Sequence, residues 1–258
     1  MTSGALSALN AWADRVFVIS LPRAEDRRAR IRERLRGLDY AFWDGVDKHG
    51  LDRAALLRDR VLDESGVRRA FRHGKEMQLG EIGAALAHRQ VCEEIVRRGW
   101  RRTVILEDDV VPRQADLGAL PAALAQLPDD FDLCYLGYEK GERATAWDRV
   151  KQATYVALGP LRVVPWTADE ARRLHPRPFA PNLRRAGLHM CAHAYAVSLA
   201  GAQKIVAAQT PVAFRADWVF PFLILNGQMN AFVSQPKLFD QETAATRPPG
   251  ALPSYIHG

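Results

Sequence analysis

Three consecutive carboxylates, Glu107, Asp108 and Asp109, stand between the apolar run 103–106 and the pair Val110 and Val111, and Pro112 closes the segment. In extended backbone alternate side chains share a face, so the spacing predicts that Glu107 and Asp109 point together and Asp108 points away. Two hard oxygen donors at the carboxyl end of a strand suit Mg2+ or Mn2+, which bind carboxylate and phosphate oxygens and keep further positions for a substrate. A diphosphate is the partner such an ion brings. Without the ion, two like charges about 5 Å apart repel by about 3 kcal/mol at an effective dielectric of about 20. The plainer alternative is that Asp108 or Asp109 caps a turn while Glu107 pairs with an arginine.

The elements that must position this acidic turn are legible as hydrophobic patterns. Residues 15–21, RVFVISL, are a β-branched apolar run ended by Pro22 and read as a buried strand. A helix over 24–37 follows, with Ile31 and Leu35 on one side and Gly37 as its stop, then a second strand over 40–43 and a polar loop over 44–50. Strand, helix, strand in this order predicts a parallel pair with a right-handed crossover. A short helix and a loop are expected in 51–74. The clearest helix spans 80–98 and leads into the acidic strand; another is expected over 117–127, a strand over 132–138, and one or two strands over 154–164. Residues 167–188, with Pro176, Pro178 and Pro181 among arginines, read as a long surface loop. A strand over 191–197, helices over 200–208 and 217–225 and a strand over 229–234 complete the pattern. The fold class expected is therefore α/β, a single mixed, mostly parallel sheet flanked by helices, in one domain over 1–240, with a Pro-rich, poorly ordered tail over 241–258.

The chain has 258 residues, 48% hydrophobic and 26% charged, with a net charge of +6. No apolar run approaches a membrane span, and the first residues lack the basic and apolar regions of a secretory signal. Three scattered cysteines without a CxxC pair argue against a disulfide framework or a zinc site, so a cytoplasmic setting is expected. Arginine clusters at 27–36 and 172–185 favour phosphorylated substrates or an anionic membrane surface. Aromatic residues do not interleave with them, which argues against nucleic-acid binding. Solvated helix faces paired with interleaved glutamates are the plain reading of the first cluster.

Four segments in this order, VFVISLPRAEDRR (16–28), LGEIGAALAHR (79–89), VILEDDVV (104–111) and HAYAVSLAGAQKI (193–205), resemble glycosyltransferase family 25, which includes lipooligosaccharide and collagen galactosyltransferases. The resemblance implies a GT-A-like fold in which a nucleotide sugar lies across the carboxyl ends of the first strands and the acidic motif holds a divalent metal, a placement that agrees with the general rule for open α/β sheets. The family's helix motif carries Cys and Ser where this chain has Ala84 and Ala87, so a polar role there is missing. Gly80, Gly83, Ala84 and Ala87 remain as packing residues.

On this resemblance Glu107 and Asp109 hold Mn2+ or Mg2+ and the diphosphate, with His193 as a third metal ligand, and Asp108 contacts the ribose or braces the turn. Arg23 and Arg27, after the first strand, are placed to hold uridine or phosphate oxygens. Asp26 reads as a cap and Arg28 as a surface partner. Glu81 and His88 match motif positions, lie two turns apart on one helical side and are candidate contacts to the nucleotide sugar; a macrodipole role for Glu81 and a satisfied core histidine are the alternatives. Asp217 falls where family members carry an acid and is the candidate base for inversion; an N-cap is its alternative. Trp166 and Trp218 are candidates to stack on sugar faces, against ordinary core roles. The implied activity is metal-dependent, inverting transfer of a hexose, galactose, from a UDP-sugar to a glycan or glycolipid acceptor in bacterial surface polysaccharide synthesis. A silent nucleotide-sugar or glycan-binding protein on the same fold is the alternative, and a basic nucleic-acid-binding scaffold a more distant one.

Overall fold

The computed structural model describes residues 2–70, 76–141 and 144–242. The sheet runs β2 (Ala41–Asp44), β1 (Arg15–Ser20), β3 (Arg102–Glu107), β8 (Met190–Ser198), β5 (Leu133–Glu139), β9 (Ala231–Ser234), β7 (Leu183–Arg185), β6 (Arg177–Ala180). Two short strands, β4 (Val110–Pro112) and β10 (Phe239–Gln241), pair with each other, and β10 also meets β5. Strands β1, β2, β3, β5, β6, β9 and β10 point one way and β4, β7 and β8 the other, the mixed, mostly parallel sheet that the pattern predicts.

Alternation along the strands builds a core on each face. Phe17, Ile19, Ile105, Tyr135 and Tyr195 pack under α5 (Leu79–Arg98), α9 (Leu199–Ala208) and α10 (Val219–Leu225). Val16, Val18, Val104, Leu106 and Leu136 pack on the other face with Leu6 and Leu9 of α1 (Thr2–Trp12), Ile31 of α2 (Glu25–Arg34) and Leu124 of α6 (Leu120–Ala125). Among the described residues no helix is long and apolar enough to cross a membrane.

Several expectations need correction. The single short helix expected in 51–74 is two, α3 (Arg53–Arg58) and α4 (Glu64–Ala70), and part of that stretch, 71–74, lies outside the described residues. Residues 154–164 hold no strand: the last five residues of α7 (Ala146–Leu158) and a 3-10 turn over Gly159–Leu161 occupy most of them, and α7 is started by a capping box in which the side chains of Thr145 and Asp148 bond each other's backbone N–H. The β-branched Thr154 and Val156 suggested a strand, and the cap outweighs them. The loop expected over 167–188 contains α8 (Ala168–Arg172) and the β6–β7 hairpin. Pro178 is tolerated there because β6 is the last strand of the sheet. At the other end Gln241 belongs to β10 and Glu242 is buried, while 243–258, most of the expected tail, lie outside the described residues.

Candidate active site

The carboxyl ends of the parallel strands β1 and β3 lie side by side, with Ile19 opposite Glu107 in register. The two core faces then separate the acids. Glu107 continues the side of Ile105 and meets α5, where His88 Nε2 stands 3.1 Å from Glu107 Oε1 and His88 Nδ1 stands 3.0 Å from the Tyr195 hydroxyl. With its proton on Nε2, His88 donates to Glu107 and accepts from Tyr195. Burial pushes the Glu107 carboxyl up, but the His88 hydrogen bond and the charges of His88, His193 and Arg27 leave it below the usual range.

Asp108 turns toward α2. Its Oδ2 accepts from Ser20 Oγ at 2.7 Å and its Oδ1 lies 2.9 Å from Arg27 Nη2. The expectation that Asp109 shares a side with Glu107 alone is corrected. Strand β3 ends at Glu107, Asp108 and Asp109 form the turn into β4, and Asp109 Oδ2 sits 3.0 Å from the same Arg27 nitrogen. Gln241 Nε2 donates to Asp109 Oδ2 at 3.0 Å, and the Asp109 carbonyl accepts from Glu242 N. Burial, then the Glu107 charge, raise the Asp109 pKa to about 7 against the pull of Arg27. Burial also raises that of Asp108, opposed chiefly by Arg27.

His193 enters from β8 and rests on Gly137, where a side chain would overlap its ring. Its Nε2 lies 3.3 Å from the Phe239 carbonyl oxygen, so Nε2 donates and Nδ1 keeps a lone pair; Nδ1 is buried without a hydrogen-bond partner. Asp109 Oδ1 is a second buried acceptor without a partner. Burial lowers the His193 pKa although Glu107 opposes it, which favours the neutral, donor-ready ring. These two atoms, with Glu107, have the oxygen and imidazole chemistry of a Mn2+ or Mg2+ site. They do not form a ready-made cage: among the described residues no group of three or more His, Cys, Asp or Glu side chains is arranged to hold a metal ion. Arg27 provides the neutralising charge instead.

The other expected residues divide. Arg28 Nη2 bonds the Ser20 carbonyl at 3.0 Å and Asp44 Oδ1 at 2.6 Å, tying the ends of β1 and β2 together. Asp26 pairs with Arg30 at 3.0 Å and is not a helix cap. Arg23 lies outside the acidic turn and binds Asp47, its Nη2 at 3.2 Å from Asp47 Oδ1, and this hydrogen bond takes the Asp47 carboxyl down to about 2. Glu81 accepts from Gln78 N at 2.8 Å at the start of α5 and forms an ion pair with Arg215 at 2.9 Å. Asp217 is not the cap of α10, since Trp218 holds that position without a side-chain bond. It is largely enclosed, and burial followed by the charge of Glu107 raises its pKa. Trp218 packs against the α5-side core, and Trp166 packs on Leu174 and Leu225 while also lining an open cleft with Tyr155.

Sequence patterns did not single out Ser20, Gln241, Tyr135 or Cys191. The Tyr135 hydroxyl is buried without a hydrogen-bond partner near the Asp217 carboxyl, and burial with the charges of Glu107 and Asp217 pushes the Cys191 thiol up to about 12. Ser20 is the polar residue near the end of the apolar run 15–21, which is the one signal available for it. Gln241 has none.

A three-carboxylate turn at the carboxyl ends of β1 and β3, beneath an arginine from the first crossover helix, defines an α/β protein of the GT-A-like glycosyltransferase class. The chain belongs to glycosyltransferase family 25: the family model described as "Glycosyltransferase family 25 (LPS biosynthesis protein)" matches residues 13–220. It is 31% identical over 198 residues to the human protein named "Inactive glycosyltransferase 25 family member 3", covering 76% of this chain and 29% of that one. It is 27% identical over 197 residues to mouse "Procollagen galactosyltransferase 2", covering 76% and 28%. A Drosophila melanogaster family 25 member is 28% identical over 201 residues, covering 76% and 28%. The chain thus spans less than a third of the length of these relatives.

Proposed function

We propose that this chain is an inverting glycosyltransferase that moves a hexose, galactose, from a UDP-sugar to a glycan or glycolipid acceptor. The observation that carries this reading is the convergence of Glu107, Asp108 and Asp109 with Arg27 where β1 and β3 end, together with the buried acceptor atoms Asp109 Oδ1 and His193 Nδ1. Glu107, Asp109 and His193 carry the donor chemistry for Mn2+ or Mg2+ without forming a ready-made cage, and an ion drawn to them together with the substrate would supply Lewis-acid stabilisation of the departing diphosphate. Asp217 takes the proton of the acceptor hydroxyl as its oxygen attacks the anomeric carbon, and the bond to the diphosphate oxygen breaks with its electron pair leaving on UDP. The raised pKa of Asp217 suits a base working near neutrality. A place in bacterial surface polysaccharide synthesis, in the cytoplasm and against an anionic membrane face, fits the family's description and the arginine-rich composition.

A second reading, a silent nucleotide-sugar or glycan-binding protein, is favoured by two facts. Relatives at 31% identity are named inactive, and Arg27 occupies the acidic turn. One experiment separates them. Melting temperatures are measured with UDP, GDP and CMP, each with and without Mn2+, followed by UDP-release assays across UDP-sugars with glycan acceptors. A UDP shift with turnover supports the transferase, a shift without turnover supports the silent nucleotide-sugar binder, and no shift with any nucleotide removes both of these and leaves only glycan binding.

A further inference from the structure

At the far end of the sheet from the acidic turn, where β5 and β9 begin, an open cleft of about 440 Å³ is lined by Arg173, Arg177, Arg185 and Lys204 and by only two acids, Asp130 and Asp132. Lys204 and Asp132 neutralise each other at 2.5 Å. Two of the arginines are held by groups that leave their charge intact. Arg173 Nη1 donates to the carbonyls of Asp169 at 3.1 Å and Leu225 at 3.0 Å. Arg185 donates to Asn230 Oδ1 at 2.9 Å and lies over the rings of Phe179 and Phe232. Arg177 stands directly opposite Arg185 in the antiparallel β6–β7 hairpin, and no ion pair holds it among the described residues.

Like charges directly opposite each other across a strand pair are unfavourable. Two held guanidinium groups, those of Arg173 and Arg185, and the exposed Arg177 beside them form an arrangement around one cleft that a phosphate relieves, because its oxygens accept several charge-assisted hydrogen bonds at once. We propose that this cleft binds a phosphate-bearing anion, at a site separate from the donor site. The arginines concerned differ in part from those that composition suggests. Arg172 is taken by Asp169 and Arg184 by Gln235, so neither faces the cleft.

The ligand chemistry is the phosphate group; its source is a free phosphate compound or a lipid headgroup, and the test distinguishes them. The full chain is titrated calorimetrically with inorganic phosphate and pyrophosphate at constant ionic strength. It is also sedimented with phosphatidic acid vesicles against phosphatidylcholine vesicles. Saturable binding is expected, and Arg177→Gln with Arg185→Gln should weaken it at least about tenfold, the loss of a charge-assisted hydrogen bond or more, while the UDP-induced melting shift stays as in wild type. Loss confined to the vesicle arm identifies a lipid headgroup; loss in the titration identifies a soluble phosphate. Absence of binding in both arms, or binding that the double variant retains at wild-type strength, overturns the proposal. Should the double variant fail to fold, Arg177→Gln alone decides it. Its melting temperature in phosphate-free buffer should not fall, and its binding in whichever arm wild type binds, phosphate titration or phosphatidic acid vesicles, should weaken by half or more; binding of wild-type strength overturns the proposal.

Discussion

Arg27 Nη2 stands 3.0 Å from Asp109 Oδ2, inside the turn whose chemistry suggests a metal site. The same nitrogen reaches Asp108, and the Arg27 side chain is only 13% exposed, so two enclosed carboxylates depend on one guanidinium. Removing one partner of a buried pair costs more than the pair contributes, because the other charges stay desolvated.

Arg27→Ala should therefore lose about 3–5 kcal/mol of stability at neutral pH, the range for breaking a buried ion pair. Mn2+ or Mg2+ should restore part of it, and by more than either ion stabilises wild type, since the freed carboxylates attract the cation without competition. Urea unfolding of both proteins with and without the ion measures this. Equal ion responses in the two would show that guanidinium and cation do not compete for the turn.

His189 gives the protein a pH dependence of known sign. Its Nδ1 donates to the Lys140 carbonyl at 3.2 Å, its Nε2 is buried without a partner, and the Tyr135 and Tyr138 rings flank it at 5.4 and 5.0 Å. Burial lowers its pKa from 6.5 to about 4. Between these values the unfolded chain takes up a proton that the folded chain refuses. The contribution to stability is full above pH 6.5 and is lost as pH falls through about 4, with a size of ~3 kcal/mol. The pH profile of unfolding free energy in His189→Phe should be flatter than wild type in this window; a parallel profile would assign the dependence elsewhere.

Gly137 is the floor on which His193 sits. A methyl group there would overlap His193 Nε2 and come within 2.8 Å of the Phe239 carbonyl oxygen. Gly137→Ala should lose about 3 kcal/mol, the upper range for overpacking, and should weaken any Mn2+-induced stabilisation. Thermal unfolding with and without Mn2+ reads both. A variant with wild-type stability would place the His193 ring away from Gly137.

The parts of the site written in local pattern were legible, and the parts written in long-range contact were not. Strands β1 and β3 are short apolar runs, and α5 shows helical spacing with Gly99 in left-handed geometry at its end. These three elements place Ser20, Glu107 and His88. Alternation also separates Glu107 from Asp108 correctly. It fails at Asp109, because the period of two holds only while the strand lasts, and β3 ends two residues earlier. Gln241 meets Asp109 across 132 residues of sequence, and no periodicity carries such information. The β6–β7 hairpin was hidden by its prolines, which an edge strand accepts and an interior strand does not. Arg27 is the most instructive case. Its type and place after β1 suggested a phosphate ligand, yet nothing local showed that it spans Asp108 and Asp109.

Asp217 offers the sharpest test of the proposed chemistry, because binding and turnover should separate there. Trp218 rather than Asp217 occupies the cap of α10, so Asp217→Asn removes a charge without removing a helix cap. Burial and the nearby Glu107 charge raise its pKa, so replacing it also relieves repulsion, and stability should hold or rise. If Asp217 removes the acceptor proton, the variant should keep the UDP-induced melting shift while turnover drops by about 10²- to 10⁴-fold, the usual worth of a general base. In wild type the acid limb of kcat/KM against pH should report a group titrating above the ordinary carboxylate range, and that limb should vanish from the residual rate of Asp217→Asn. Turnover within threefold of wild type, or an acid limb unchanged in the variant, would move the base to another residue while leaving the nucleotide site at Glu107, Asp108 and Asp109 intact.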